Sequence, residues 1–237
     1  MANFKDYINF YKLAKNRRKS NSDYVKFENF QAGIVLNSLK NKGIALRGKN
    51  VLDIGGGRGG YSTEFFKQGA DVVSLDIKSE QFQGMPGVKF VLGDALKLPF
   101  KAESFDFVFC SSLIEHVKNP EVLIIEIKRV LKNGGMCYLS FPPFWSPVGS
   151  HQFKPFHYLG EKTAIRLSRK FYNVRSYKYD DEYGKLYKRT IKEVKELILE
   201  NRLKIKSIST RMLPVNFANI PLFREFLTWH VEFIIQK

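Results

Sequence analysis

A chain of 237 residues with 44% hydrophobic content is long enough to bury a sizeable core, and no apolar run approaches the roughly 18 residues that span a bilayer. The opening residues Met1 to Asp6 lack the charged-then-apolar layout of a secretion signal, which gives the expectation of a cytoplasmic chain; the two cysteines, Cys110 and Cys137, exclude a disulfide framework and have no metal-ligand spacing. The net charge of +16 is unevenly placed: residues 1 to 49 carry 11 Lys+Arg against 3 Asp+Glu, residues 50 to 143 carry 10 against 11, and residues 144 to 237 carry 18 against 9. Two basic flanks around a neutral middle point to an acidic partner (phosphate, nucleic acid or an anionic membrane surface) or to a solvated basic surface.

The first fifty residues predict helices. Phe4, Ile8 and Tyr11, then Phe27, Phe30 and Ile34, fall at helical spacing, and the basic stretch Lys15-Asn16-Arg17-Arg18-Lys19 reads as the turn between two helices. From Asn50 the texture becomes short β-branched runs alternating with helical segments, the pattern of a parallel α/β sheet. Strands are predicted at Val51 to Ile54, Val72 to Asp76, Val88 to Leu92, Phe105 to Cys110 and Met136 to Phe141. A helix from Glu121 to Leu131 meets the stop signal Asn133-Gly134-Gly135. Beyond Phe141 comes a Pro- and aromatic-rich stretch, then a helical run from Tyr187 to Asn201, a strand from Leu203 to Thr210 and a terminal apolar strand from Phe226 to Ile235.

The segment Val51-Leu52-Asp53-Ile54-Gly55-Gly56-Gly57-Arg58-Gly59-Gly60 is an apolar strand, an acid and a glycine cluster opening a helix. Glycine suits a backbone that must turn sharply and approach a ligand without a Cβ in the way. The spacing Gly55-x-Gly57-x-x-Gly60 also satisfies the dinucleotide fingerprint, so a nicotinamide or flavin enzyme competes at this point. Asp76, ending the second strand, suits a ribose diol under either reading. Gly93-Asp94-Ala95 after the third strand places a carboxylate suited to an adenine amino group, for which a dinucleotide enzyme has no particular need.

In order, Asp53-Ile54-Gly55-Gly56-Gly57-Arg58-Gly59, Leu75-Asp76, Gly93-Asp94-Ala95, Phe105-Asp106-Phe107-Val108-Phe109 with Glu115-His116-Val117, and Leu131-Lys132-Asn133-Gly134-Gly135 resemble the class I S-adenosylmethionine-dependent methyltransferases over residues 50 to 141. The resemblance implies an α/β, doubly wound, seven-stranded and mostly parallel sheet of Rossmann-like type with an antiparallel last strand. It implies a single domain over 1–237: a helical extension at 1–49, a cofactor-binding core at 50–141, a substrate cap at 142–187 and the end of the core sheet at 188–237. S-adenosylmethionine is the implied cofactor and S-adenosylhomocysteine its product. Gly55 and Gly57, with Gly56 between them, would approach the methionine part, and Asp53 would orient the loop and the methionine ammonium. Asp76 would hold the ribose, Asp94 the adenine amino group, Ile77 and Ala95 would pack near the ring, and Ser111 would line the methionine end. For Gly59 and Gly60, helix–sheet packing explains glycine as well as ligand contact does.

Methyl transfer is an in-line displacement in which positioning does much of the work, and a general base is needed only for a weakly acidic acceptor such as an alcohol. The Asn/Asp-Pro-Pro-aromatic motif of amino-methylating nucleic-acid enzymes does not follow the fourth strand, where Ser111-Ser112-Leu113-Ile114 stands instead. The stretch Phe141 to Gly160, rich in proline and aromatics, resembles a loop of the glycan-methylating branch of the family. Its His151 and His157, together with His116 at the start of a helix, are the candidate bases, with capping or packing as the competing role of each. No acid lies in the same stretch as His151 and His157, so no metal site is expected. Lys162, Arg166, Arg169 and Lys170, with Tyr172, Tyr177, Tyr179 and Tyr183, complete a basic, aromatic cap. The leading expectation is O-methylation of a small-molecule or glycan-type acceptor, the basic cap and N-terminal helices suiting an anionic one. The alternatives are an RNA methyltransferase and a cofactor-binding regulator without catalysis; the oligomeric state is not legible.

Overall fold

The computed structural model describes residues 4–17, 19–211 and 213–237; the opening residues 1–3 and Arg18 of the basic turn lie outside the described residues. In chain order the elements are α1 (Phe4–Asn16), α2 (Asn21–Asn41), β1 (Asn50–Ile54), α3 (Gly60–Lys67), β2 (Asp71–Asp76), β3 (Lys89–Leu92), β4 (Phe105–Ser111), α4 (Pro120–Val130), β5 (Leu131–Phe141), α5 (Glu161–Tyr172), α6 (Ile191–Glu200), β6 (Lys204–Thr210), the single turn α7 (Arg224–Leu227) and β7 (Val231–Gln236). Seven strands form one sheet in the order β3-β2-β1-β4-β5-β7-β6, with the last strands antiparallel. β1 is parallel to both β2 and β4, with Ile54 opposite Leu75 on one side and Cys110 on the other. The order of construction reverses at the β1/β4 pair, the place where open α/β sheets bind ligands beyond the strand carboxyl ends. This is the doubly wound arrangement expected from the sequence.

The chain forms two compact units. The first comprises Met1–Cys110, Glu126–Tyr138 and Gln236–Lys237. Its core is built on β1, where Val51, Leu52 and Ile54 are fully buried, as expected of a central parallel strand covered on both faces. Phe109 packs edge-on against Phe65 of α3 at 4.9 Å between ring centroids and stacks on Tyr138 at 5.0 Å. Cys110 and Cys137 are both buried and form no disulfide.

The second unit comprises Ser111–Ile125 and Leu139–Ile235. Phe144, Phe153, Ala164, Ile165, Tyr179 and Leu186 form its aromatic core, joined by Trp145, Phe156 and Val174. Of the four tyrosines of the cap's aromatic strip, Tyr179 is a core residue, whereas Tyr172, Tyr177 and Tyr183 are exposed. α6 begins with a capping box, Thr190 and Glu193 each accepting the other's backbone N–H, which satisfies two otherwise unpaired donors. Glu225 accepts two more amides of that helix, from Ile191 at 2.8 Å and Lys192 at 3.1 Å.

That contact explains one departure from expectation. Phe226 and Leu227 belong to the helical turn α7, held beside Glu225, and the last strand starts only at Val231. A second departure is that β5 begins at Leu131, so Asn133-Gly134-Gly135 lies inside a strand rather than beyond a helix end. Gly134, with φ of +75°, turns the chain there while its amide donates to the Lys237 carbonyl at 3.2 Å.

Candidate active site

In the first unit, β1 delivers the glycine loop. Gly55, Gly57 and Gly59 all have φ in the left-handed region, at 76°, 54° and 84°, which a side chain would resist. Gly56 is required for space: a Cβ there would lie 1.9 Å from Ser74 Oγ. The amides of the loop glycines have partners within the protein. Gly55 and Gly56 donate to the Leu75 carbonyl at 2.8 and 3.1 Å, and Gly57 donates to Asp76 Oδ2 at 3.0 Å. The first amide of α3, Gly60 N–H, donates to Glu28 Oε2 at 3.1 Å. A Cβ on Gly60 would lie 2.4 Å from the Cβ of Glu28, and one on Gly59 would lie 2.7 Å from the Phe82 ring. Those two glycines thus answer to packing against α2 and the Phe82 loop, not against the sheet as expected.

The site is acidic. Asp53, 2% exposed, accepts a hydrogen bond from Ser62 Oγ at 2.5 Å, and burial, only partly opposed by Ser62, raises its pKa to about 7, with the Asp76 charge adding to the rise. Glu28, which sequence reasoning missed, is raised to about 8, mainly by burial, against the lowering effect of the Gly60 amide and with Asp53 and Asp76 contributing further. Asp76 also accepts from the Lys78 amide at 3.0 Å, leaving lone pairs on both oxygens. Next to it Ile77 is 69% exposed, an apolar face with room for a flat partner. Asp94 accepts from the Leu96 amide at 2.9 Å in a tight turn that also holds Ala95, and its carboxylate is exposed. Asp53, Gly55, Gly56, Gly57 and Asp76 are thus gathered around one loop.

In the second unit, Ser111 is tied into a polar network. Ser140 Oγ donates to Ser111 Oγ at 2.9 Å, and Arg211 Nη2 donates to Ser111 and Ser140 at 3.2 and 3.0 Å. Arg211 pairs with Glu232 at 3.3 Å, both side chains being 3% exposed. Ser112, with φ of 54°, meets His230 Nε2 at 3.1 Å. Burial first, and then the Arg211 charge, hold His230 well below the usual histidine range. Neither Arg211 nor His230 stood out in the sequence.

The three predicted histidines separate. His157, 1% exposed, sits edge-on to Phe144 at 5.7 Å and against Tyr158 at 3.8 Å between ring centroids, inside the aromatic core. Burial lowers its pKa. His116 and His151 instead lie together, ring centroids 5.0 Å apart, beside Glu115. Glu115 is 1% exposed, and burial raises its pKa to about 8. Glu115, the acid partner of these histidines, lies outside the Phe141 to Gly160 stretch, in the segment after β4.

Residues 52–139 match the family profile described as a methyltransferase domain. An uncharacterized methyltransferase of Mycobacterium tuberculosis (strain ATCC 25618 / H37Rv) is 35% identical over 131 residues, covering 52% of this chain and 51% of the relative. The chain spans about half the length of the curated relatives it matches. Among solved structures, an S-adenosylmethionine-dependent methyltransferase from Mesorhizobium loti aligns over 86% of this chain and 98% of its own, at 17% identity and a TM-score of 0.61. The magnesium protoporphyrin IX methyltransferase of Synechocystis PCC 6803, solved with bound SAH, aligns over 91% of this chain and 86% of its own, at 16% identity and a TM-score of 0.57. Over residues 52–139 this chain is similar to the methyltransferase-domain family, and its fold is the one these solved S-adenosylmethionine-dependent methyltransferases share.

Proposed function

We propose that the chain transfers a methyl group from S-adenosylmethionine to a hydroxyl of a small-molecule or glycan-type acceptor. The observation that carries the cofactor choice is the way the glycine loop spends its amides. Gly55, Gly56, Gly57 and Gly60 N–H groups all go to Leu75, Asp76 or Glu28, so they are not offered to a pyrophosphate. The acidic side chains of Glu28, Asp53 and Asp76 around the same loop favour a ligand carrying a sulfonium and an ammonium, whose positive charge would draw Glu28 and Asp53 toward their ionised forms. Asp76 would hold the ribose diol, Asp94 the adenine amino group and Asp53 the methionine ammonium.

The acceptor reading rests on the second unit. Tyr158, 46% exposed, donates its hydroxyl to the Trp145 carbonyl at 3.0 Å, which fixes a rigid aromatic face of the kind that suits a sugar ring. Glu115, His116 and His151 are the groups able to position a hydroxyl or take its proton. The basic flanks favour RNA as the second reading, and salt-dependent retention on polyanions separates it from the first.

The test is calorimetry with S-adenosylmethionine and a nicotinamide dinucleotide, followed by release of S-adenosylhomocysteine over a panel of sugars, phenols and RNA. Saturable binding of the sulfonium alone, with turnover on a hydroxyl acceptor, is expected. Nicotinamide binding without sulfonium binding would overturn the cofactor assignment, and turnover confined to RNA would overturn the acceptor.

A further inference from the structure

Glu115 is a buried carboxylate in need of an explanation. It is 1% exposed, and among the described residues neither of its oxygens is hydrogen-bonded. Proteins rarely leave such a group without a partner, because its desolvation is then uncompensated. Its own backbone is well held: the Glu115 carbonyl accepts the Tyr187 amide at 2.8 Å, so the placement of the side chain is not an accident of a loose segment.

Two imidazoles stand beside it. His116 Nδ1 faces the Lys185 carbonyl, which can only accept, so Nδ1 carries the proton and Nε2 keeps the lone pair of the neutral ring. A carbonyl on the second nitrogen is the arrangement that orients metal-binding histidines and fixes their tautomer. His151 Nε2 lies 3.8 Å from Glu115 Oε1, beyond hydrogen-bonding distance. Two donors each about 2.1 Å from one shared ion sit about 3 to 3.5 Å apart, close to that separation. One donor atom from each of Glu115, His116 and His151 lies within 4.8 Å of the others. The backbone of His151 has φ of 50°, in the left-handed region that few residues other than glycine adopt, and this is the residue that completes the group.

We propose that Glu115, His116 and His151 bind one divalent first-row transition-metal ion, with two imidazoles and a carboxylate as its protein ligands. This donor set suits Zn2+ or Fe2+ rather than the all-oxygen shells of Mg2+ and Ca2+. Three protein ligands leave coordination positions open, and a hydroxyl bound there loses its proton near neutral pH. That use of the ion rests on the methyltransferase reading above. In it, the O–CH3 bond forms as the CH3–S bond breaks, the sulfur takes the electron pair, and the hydroxyl proton leaves to solvent.

The experiment needs no methyl donor. The full chain is stripped with a chelator, freed of it, and titrated with ZnCl2 by calorimetry and with Co2+ by visible absorption. One ion per chain is expected, with Co2+ bands of a nitrogen- and oxygen-ligated ion. His151→Ala and Glu115→Gln should each weaken Zn2+ binding by about 100-fold or more, since loss even of outer-shell partners costs about 10- to 100-fold. His157→Phe should leave it unchanged. If Glu115→Gln fails to fold, His151→Ala decides, because that side chain is 33% exposed. Absence of saturable one-to-one binding in the unmutated chain, or binding unchanged in His151→Ala, overturns the site. A chain that binds Zn2+ but releases no S-adenosylhomocysteine supports the site while counting against the proposed function.

Discussion

The amide of Gly57 lies 3.0 Å from Oδ2 of Asp76, so the carboxylate proposed to hold a ribose also latches the glycine loop to the end of β2. One side chain therefore couples the shape of the loop to the affinity of the site. Asp76→Ala should weaken cofactor binding by about 1.5–3 kcal/mol, roughly 10- to 150-fold, because a charged acceptor is lost to ligand and loop together. Asp76→Asn keeps one acceptor oxygen and should fall between the two. Calorimetry on folded variants checks this, and an unchanged dissociation constant in Asp76→Ala would reduce Asp76 to a turn acid.

Glu28 gives a prediction about pH. Its pKa is 4.5 ordinarily and about 8 in the folded chain, so between these values the folded chain holds a proton that the unfolded chain has released. Stability must then fall as pH rises through that window, the reverse of the usual salt-bridged carboxylate. Asp53, raised from 3.8 to about 7, acts in the same direction over a lower range. Thermal unfolding of the ligand-free chain should show a lower Tm at about pH 8 than at about pH 6. Glu28→Gln keeps an acceptor for the Gly60 amide and should make this dependence shallower, leaving the parts that Asp53 and the buried Glu115 contribute. Equal slopes in the two proteins would show that Glu28 stays ionised in the fold.

These two residues also show what was legible in the sequence. Asp76 was found because a carboxylate at the end of a strand, after a glycine loop, is a local pattern with a fixed spacing. Glu28 carries no such pattern. It is one acid on a helix, and only the packing of α2 against Gly60 gives it a role. The central strands were predicted within one or two residues because both faces of a parallel sheet must be apolar, a constraint written along the chain. The ends of β5 and β7 were not, because Leu131 to Gly135 and Arg224 to Leu227 take their conformations from partners distant in sequence. The histidines follow the same rule: His116 and His151 meet each other and Glu115 only through tertiary structure.

Arg211 and Glu232 form a buried ion pair whose removal should be costly in one direction only. Arg211→Ala leaves Glu232, 2% exposed, without its guanidinium and leaves the hydroxyls of Ser111 and Ser140 without a charged donor. A loss of about 3–5 kcal/mol in unfolding free energy is expected. Replacing both partners, as Arg211→Met with Glu232→Leu, removes the uncompensated charge and should recover most of it. Denaturant unfolding of the single and double variants is the measurement. A double variant as unstable as the single one would mean that the network, not the charge, supplies the stability.

The two histidines of the aromatic segment should respond differently to substitution, because His157 is buried among rings while His151 stands beside Glu115 and His116. His157→Ala removes a packed ring and should cost about 2–4 kcal/mol of stability, in the manner of other large-to-small core changes. His157→Phe keeps an aromatic ring of similar width, so its stability should be largely restored and its turnover should stay within a few fold of the unmutated chain. His151→Ala should do the opposite: little change in stability and unchanged cofactor affinity, with turnover lower by about 100-fold or more, the size of a lost base or a lost activating group. Misplacement of the acceptor alone can cost as much, so the pH profile is the sharper reading. A group that must be deprotonated gives activity that rises through its pKa, and His151→Ala should lose that limb while His157→Phe keeps it. A folded His157→Phe with turnover down 100-fold, or a His151→Ala that keeps both turnover and the rising limb, would move the chemistry away from the Glu115, His116 and His151 group.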